Sequence, residues 1–138
     1  MRLSLLLLAL ALGACDSISN APEATFGVEY TVLESANSPA IRDVRVDGRV
    51  RVEVQVEVEY RSECKKHGFV LRERVEGKRA EVWFVHDAED KAKGEPKGDD
   101  CHALQRAFVR ETLSEIAAGA ESITLLAPPD GRPLPVAP

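Results

Sequence analysis

The sequence predicts a small, mainly β sandwich held by one disulfide, and three observations carry that prediction. Val44, Val46, Val50, Val52, Val54, Val56, Val58 and Tyr60 all fall on even positions, while Arg45, Asp47, Arg49, Arg51, Glu53, Gln55, Glu57, Glu59 and Arg61 fill the odd ones. Side chains alternate between faces along a strand, so this pattern sets one apolar face against one charged face. Further short apolar segments recur at 69–76, 79–86 and 121–126, separated by glycine and proline. Two cysteines, Cys64 and Cys101, stand ready to join distant parts of the chain.

In chain order, Thr25–Glu34 reads as a first strand and Ser35–Ala40 as a loop. The valine pattern then gives strands on either side of Asp47-Gly48. A two-residue turn there would pair Val46 with Arg49 and break the alternation. A three-residue loop over Asp47–Arg49 pairs Val46 with Val50 and preserves it; a bulge in one long strand is the other solution. Cys64–Gly68 reads as a polar turn, Phe69–Glu76 and Arg79–His86 as strands joined at Gly77-Lys78, and Asp87–Asp100 as an exposed charged loop. Trp83 and Phe84 are neighbours, so one faces the core and the other faces out, over a sheet edge or a partner. Residues 101–118 admit two readings. A helix capped by Asp99 or Asp100 and ended by Gly119 would make the fold α+β. A strand over 107–113 keeps it mainly β, and the reading leans that way.

The tail joins a strand at 107–113, a turn around Gly119, a strand at 121–126, and a turn at Asp130-Gly131 leading to Pro133–Val136. This order resembles the closing strands of many exported immunoglobulin-like domains, and the resemblance implies an immunoglobulin-like sandwich.

The first fifteen residues give an address. Arg2 precedes an apolar run, Leu3–Leu12, too short for the ~20 residues that span a bilayer. Leu12-Gly13-Ala14-Cys15 resembles the bacterial lipobox. The resemblance implies that residues 1–14 are a cleaved signal peptide, that Cys15 is lipidated, and that residues 15–24 tether a single globular domain at 25–138. Acyl chains contribute ~0.8 kcal/mol per buried methylene, and more than one chain gives stable anchoring. The expected location is the bacterial cell envelope, lipid-anchored on the periplasmic face of the inner or outer membrane or at the cell surface.

Removing residues 1–14 takes away one charge, Arg2, and shifts the formal net charge from −5 to −6. An acidic chain argues against nucleic acid, which calls for a basic stripe. In an exported chain a pair such as Cys64 and Cys101 is expected as a disulfide. Closing their loop would contribute about 3–4 kcal/mol.

Other chemistry is thinner. A reduced set of Cys64, His67, Cys101 and His102 is the alternative, of a kind that suits zinc or cuprous copper. Its spacing matches no zinc pattern, and neighbours such as Cys101 and His102 point apart on a strand, so no cofactor is expected. The acidic loop places Ala92 where a calcium loop starting at Asp87 needs glycine. Ser62 lacks a glycine-framed elbow, Cys64 with His67 is the nearest approach to a nucleophile and base, and no phosphate-binding loop is present. The expectation is a non-catalytic lipoprotein that presents a β domain to an envelope protein partner or supports the envelope structurally. The rival readings are metal handling and inhibition of an envelope enzyme through the loop 87–100.

Overall fold

The structure, a computed structural model, describes residues 23–90 and 102–136. The signal segment, Cys15, most of the tether, residues 91–100 of the acidic loop and Cys101 lie outside the described residues. Eight strands and one short helix are described: β1 (Thr31–Leu33), β2 (Ala40–Val46), β3 (Arg49–Arg61), β4 (Lys65–Glu76), β5 (Arg79–Asp90), β6 (Leu104–Thr112), α1 (Glu115–Ala118), β7 (Ser122–Ala127) and β8 (Arg132–Leu134). No helix among the described residues is long and apolar enough to cross a membrane.

The strands form two four-stranded sheets. In one, β3 is central; β6 lies on one side, and β1 and β2 share the other, pairing with successive stretches of β3. The other runs β4-β5-β7-β8, antiparallel except where β5 and β7 pair in parallel. Val54, Val56 and Val58 are fully buried and belong to one core cluster with Val82, Phe84 and Leu125 of the second sheet. Each such side chain contributes about 1.5–3 kcal/mol by leaving water. The mainly β sandwich is the architecture that the valine alternation predicts.

Three local expectations are corrected and one open alternative is resolved. The β2–β3 connection is a two-residue turn, with Val46 opposite Arg49 and Val44 opposite Arg51. Asp47 and Gly48 sit at φ 49° and 76°, the type I′ geometry whose twist matches that of the flanking strands. Val44 and Val46 therefore leave the face that Val54–Val58 occupy. The hairpin tip extends past the core, where Val50 is 61% exposed, so among the described residues the valine pattern has no apolar partner there to enforce it.

Second, Lys65–Gly68 is strand rather than turn, and β5 continues through Asp87–Asp90 into the expected loop. The ladder continues to Lys65 opposite Asp90, with Lys66 opposite Glu89. Third, of the two readings of 101–118, the favoured strand over 107–113 holds, within β6. β6 lies on β3 with Val109 opposite Val56 and Ala107 opposite Val58, and only Glu115–Ala118 is helical, capped by the Ser114 hydroxyl, which accepts from the Ala117 amide. Fourth, the expected first strand over 25–34 shrinks to Thr31–Leu33. Residues 25–30 form a strap lying across β5, with a parallel bridge between Gly27 and His86.

The step from β1 to β2 along one edge of β3 uses polar side chains. The buried Ser38 hydroxyl donates to the Leu33 carbonyl at 2.9 Å and accepts from the Glu57 amide at 2.7 Å. Gln55, on the face expected to be wet, is buried and donates to the Asn37 carbonyl while accepting from Arg42.

Candidate functional site

The strap takes up the edge of β5 beyond the stretch that β7 occupies. The Val28 amide donates to the His86 carbonyl at 2.8 Å, and the His86 amide donates to the Phe26 carbonyl at 2.8 Å. Gly27 makes this approach possible: a Cβ built there would lie 2.2 Å from the His86 carbonyl oxygen. The Tyr30 hydroxyl donates to the Phe84 carbonyl at 2.6 Å, and the Trp83 indole donates to the Thr25 carbonyl at 3.1 Å. Trp83 and Phe84 are thus both buried, on opposite faces of β5. Trp83 is covered by this chain itself, with the Arg74 guanidinium 5.8 Å from its ring centre.

Beneath the strap five rings meet: Tyr30, Tyr60, His67, Phe69 and His86. Phe69 lies opposite His86 in the β4–β5 ladder, and the two rings stack 4.4 Å apart and 3° from parallel. Tyr60 reaches across from β3, 4.5 Å from His67 and 5.1 Å from His86, ring centre to ring centre. Tyr30 closes the cluster edge-on to Phe69 and His86. His86 is fully buried, and His67 is half-buried.

The two histidines form a chain of hydrogen bonds between two backbone carbonyls. His86 Nδ1 lies 3.1 Å from the Val28 carbonyl oxygen, His86 Nε2 lies 2.8 Å from His67 Nδ1, and His67 Nε2 lies 2.6 Å from the Ser62 carbonyl oxygen. Burial pushes the His86 pKa below its ordinary value; the charge on His67 adds to this, while the Val28 and Glu29 backbone and Asp87 oppose it.

Ser62 begins the turn that carries Cys64. The Lys65 amide donates to the Ser62 carbonyl at 2.9 Å, and Glu63 and Cys64 sit between them at φ 45° and 56°. A left-handed conformation costs an ordinary residue about 1–2 kcal/mol, so two in succession mark a turn fixed by its surroundings.

Of the residues singled out by sequence, Cys64 is half-buried at this turn and His102 is exposed. Cys15 and Cys101 lie outside the described residues. No group of three or more metal-ligating side chains occurs among the described residues, and both ring nitrogens of His67 face hydrogen-bond partners. The pairing of His67 with His86 is not apparent from local sequence. A two-residue turn at Gly77-Lys78 sets Phe69 opposite His86 and His67 diagonally across from it, so the signal was present once that register was fixed.

On the outward side of the first sheet, β6 is an edge strand that pairs only with β3 among the described strands. It shows Leu104, 56% exposed, and Phe108, 52% exposed. Arg106 bridges to Glu59 at 2.9 Å, and the Arg110 guanidinium lies 5.9 Å from the Phe108 ring centre. Comparison of the chain with protein-family models, curated proteins and solved structures finds no significant match.

Proposed function

We propose that this chain is a bacterial envelope lipoprotein, anchored through acyl chains on Cys15, that presents its β-sandwich to another envelope protein and performs no catalysis. The anchor rests on the charge, apolar run, small residues and cysteine of Met1–Cys15. The observation that carries the contact role is β6. Its edge is open among the described strands, and its outward row alternates apolar and cationic groups, Leu104, Arg106, Phe108 and Arg110. An open edge offers backbone donors and acceptors to an added strand, and aromatic and arginine side chains are enriched at protein contacts.

The Cys64–Cys101 disulfide is part of this reading. Arg61 pairs with Leu104, and the Ser62 amide donates to the Ala103 carbonyl at 3.2 Å. These contacts bring the segment just before Cys64 beside the segment that follows position 101. The disulfide would close the chain ends on either side of the acidic loop.

The test is expression of the full chain in a bacterium with a photo-crosslinking residue at position 108 or, as control, at exposed position 130. The expected result is a discrete cross-linked partner from 108 alone, in a membrane fraction that Cys15→Ala abolishes. A soluble, unacylated wild-type chain rules out the anchor, and equal labelling from both positions rules out the β6 contact.

A further inference from the structure

The hydrogen-bond chain through the two histidines fixes its own proton count. A carbonyl oxygen only accepts, so His86 Nδ1 facing Val28 and His67 Nε2 facing Ser62 must each carry a hydrogen. That uses the single N–H of a neutral imidazole on both rings. The two remaining nitrogens face each other at 2.8 Å, and without a further proton they would oppose two lone pairs at hydrogen-bond distance. Three hydrogens on four nitrogens satisfy every contact, making one imidazole and one imidazolium. A fourth would set two N–H groups against each other.

We propose that His67 and His86 together bind one proton, shared between His67 Nδ1 and His86 Nε2, and that this proton clamps the Phe26–Tyr30 strap and the Ser62–Lys65 turn to one end of the sandwich. The surroundings suit a single positive charge. Phe69 stacks face to face on His86, and the Tyr60 ring lies tilted against both histidines; aromatic faces attract cations. Tyr30 stays neutral, its hydroxyl donated to Phe84. Among the described residues the charged groups around the pair are few, and Glu29 on the strap is exposed. Asp87, next to His86 on β5, is exposed and favours the charged form; Lys65 shares the strand face of His67; Glu63, on the turn, is exposed, and Glu59 and Arg61 flank Tyr60 on the outward side of β3. Burial of His86, together with charge on His67, opposes a second proton. A metal ion between the rings is a poorer fit: two bonds of about 2.0–2.1 Å at tetrahedral angles hold nitrogens well beyond 2.8 Å.

The pH dependence follows from counting. The folded pair holds one proton, whereas two unfolded histidines hold two in acid and none in base, and one on average near pH ~6.5. Below that value the unfolded chain binds more protons, so stability falls as acid is added. Above it the unfolded chain binds fewer, so stability falls as base is added. The pair's contribution therefore peaks near pH ~6.5 and declines on each side by up to about tenfold per pH unit in the folding equilibrium constant, until the folded pair itself titrates.

The experiment is ¹⁵N imidazole spectroscopy and denaturant unfolding of the full chain in detergent micelles from pH 5 to 9, beside His67→Gln. The glutamine amide nitrogen can donate to His86 Nε2, so His86 can stay neutral and bonded. The expected spectrum has hydrogens on His86 Nδ1 and His67 Nε2 and a third bridging the rings. The expected stability difference between wild type and His67→Gln shrinks as pH rises from 7 to 9. Two hydrogens instead of three on the wild-type pair, a difference flat with pH, or a wild-type spectrum that changes when a chelator strips zinc or copper would each overturn the proposal.

Discussion

The Cα of Gly27 faces the carbonyl oxygen of His86 so closely that a Cβ would stand 2.2 Å away, and Gly27 holds φ at +75°. Space and backbone conformation thus both require glycine, and the strap depends on it. Gly27→Ala is expected to cost about 2–4 kcal/mol, summing left-handed strain and weakened strap hydrogen bonds. Denaturant unfolding reads the loss. Hydrogen exchange should speed up first at the Val28 and His86 amides, and unchanged protection there would refute the strap as a glycine-dependent element.

Tyr30 is held by burial and by its bond to Phe84, and burial raises its pKa well above the ordinary tyrosine value. An acid whose folded pKa is raised loses its proton more readily when unfolded. Stability should therefore fall as pH rises above the unfolded value of about 10. Tyr30→Phe is expected to lower stability by about 1–3 kcal/mol at neutral pH and to flatten that alkaline decline. Thermal unfolding between pH 8 and 11 for both proteins distinguishes this from a general alkaline effect, which the variant would share.

Ser38→Ala leaves the Glu57 amide without its 2.7 Å acceptor at the point where β1 gives way to β2. A buried donor left unpaired costs about 1–3 kcal/mol. Amide exchange at Glu57 should accelerate more than at Val56, one residue away. Equal rates would show that another acceptor replaces the hydroxyl.

Phe108 is half exposed on β6. If it serves contact rather than packing, Phe108→Ser should change stability by no more than about 0.5 kcal/mol, the usual range for surface positions, while weakening partner cross-linking. A loss above about 2 kcal/mol would place Phe108 in the fold's own stabilisation.

Period-two alternation made β3 and the core legible, because Val54, Val56 and Val58 have a buried sheet to face. The same alternation misleads at Val44 and Val46, where no core of the described residues lies behind the hairpin and turn geometry decides the register. The two-way reading of 101–118 was settled by pairing with β3, a long-range contact that local propensity cannot supply. The segment Thr25–Glu34 is apolar enough to suggest a continuous strand. Its conformation follows from the close approach at Gly27, which depends on where His86 lies in three dimensions. The histidine pair needed the Gly77-Lys78 register and the ring from Tyr60, drawn from three separate strands.

The strap also fixes how the domain meets mechanical force. Tension applied to the chain ahead of Glu23 reaches the sandwich through Thr25, Phe26 and Val28 before it reaches β1. Its first resistance comes from the bonds to Trp83 and His86. The His86 ring is tied to Val28 and, through His67, to Ser62, so a pull on the leading segment and a change in acidity converge on one latch. An applied load and a titration should therefore substitute for each other in releasing it.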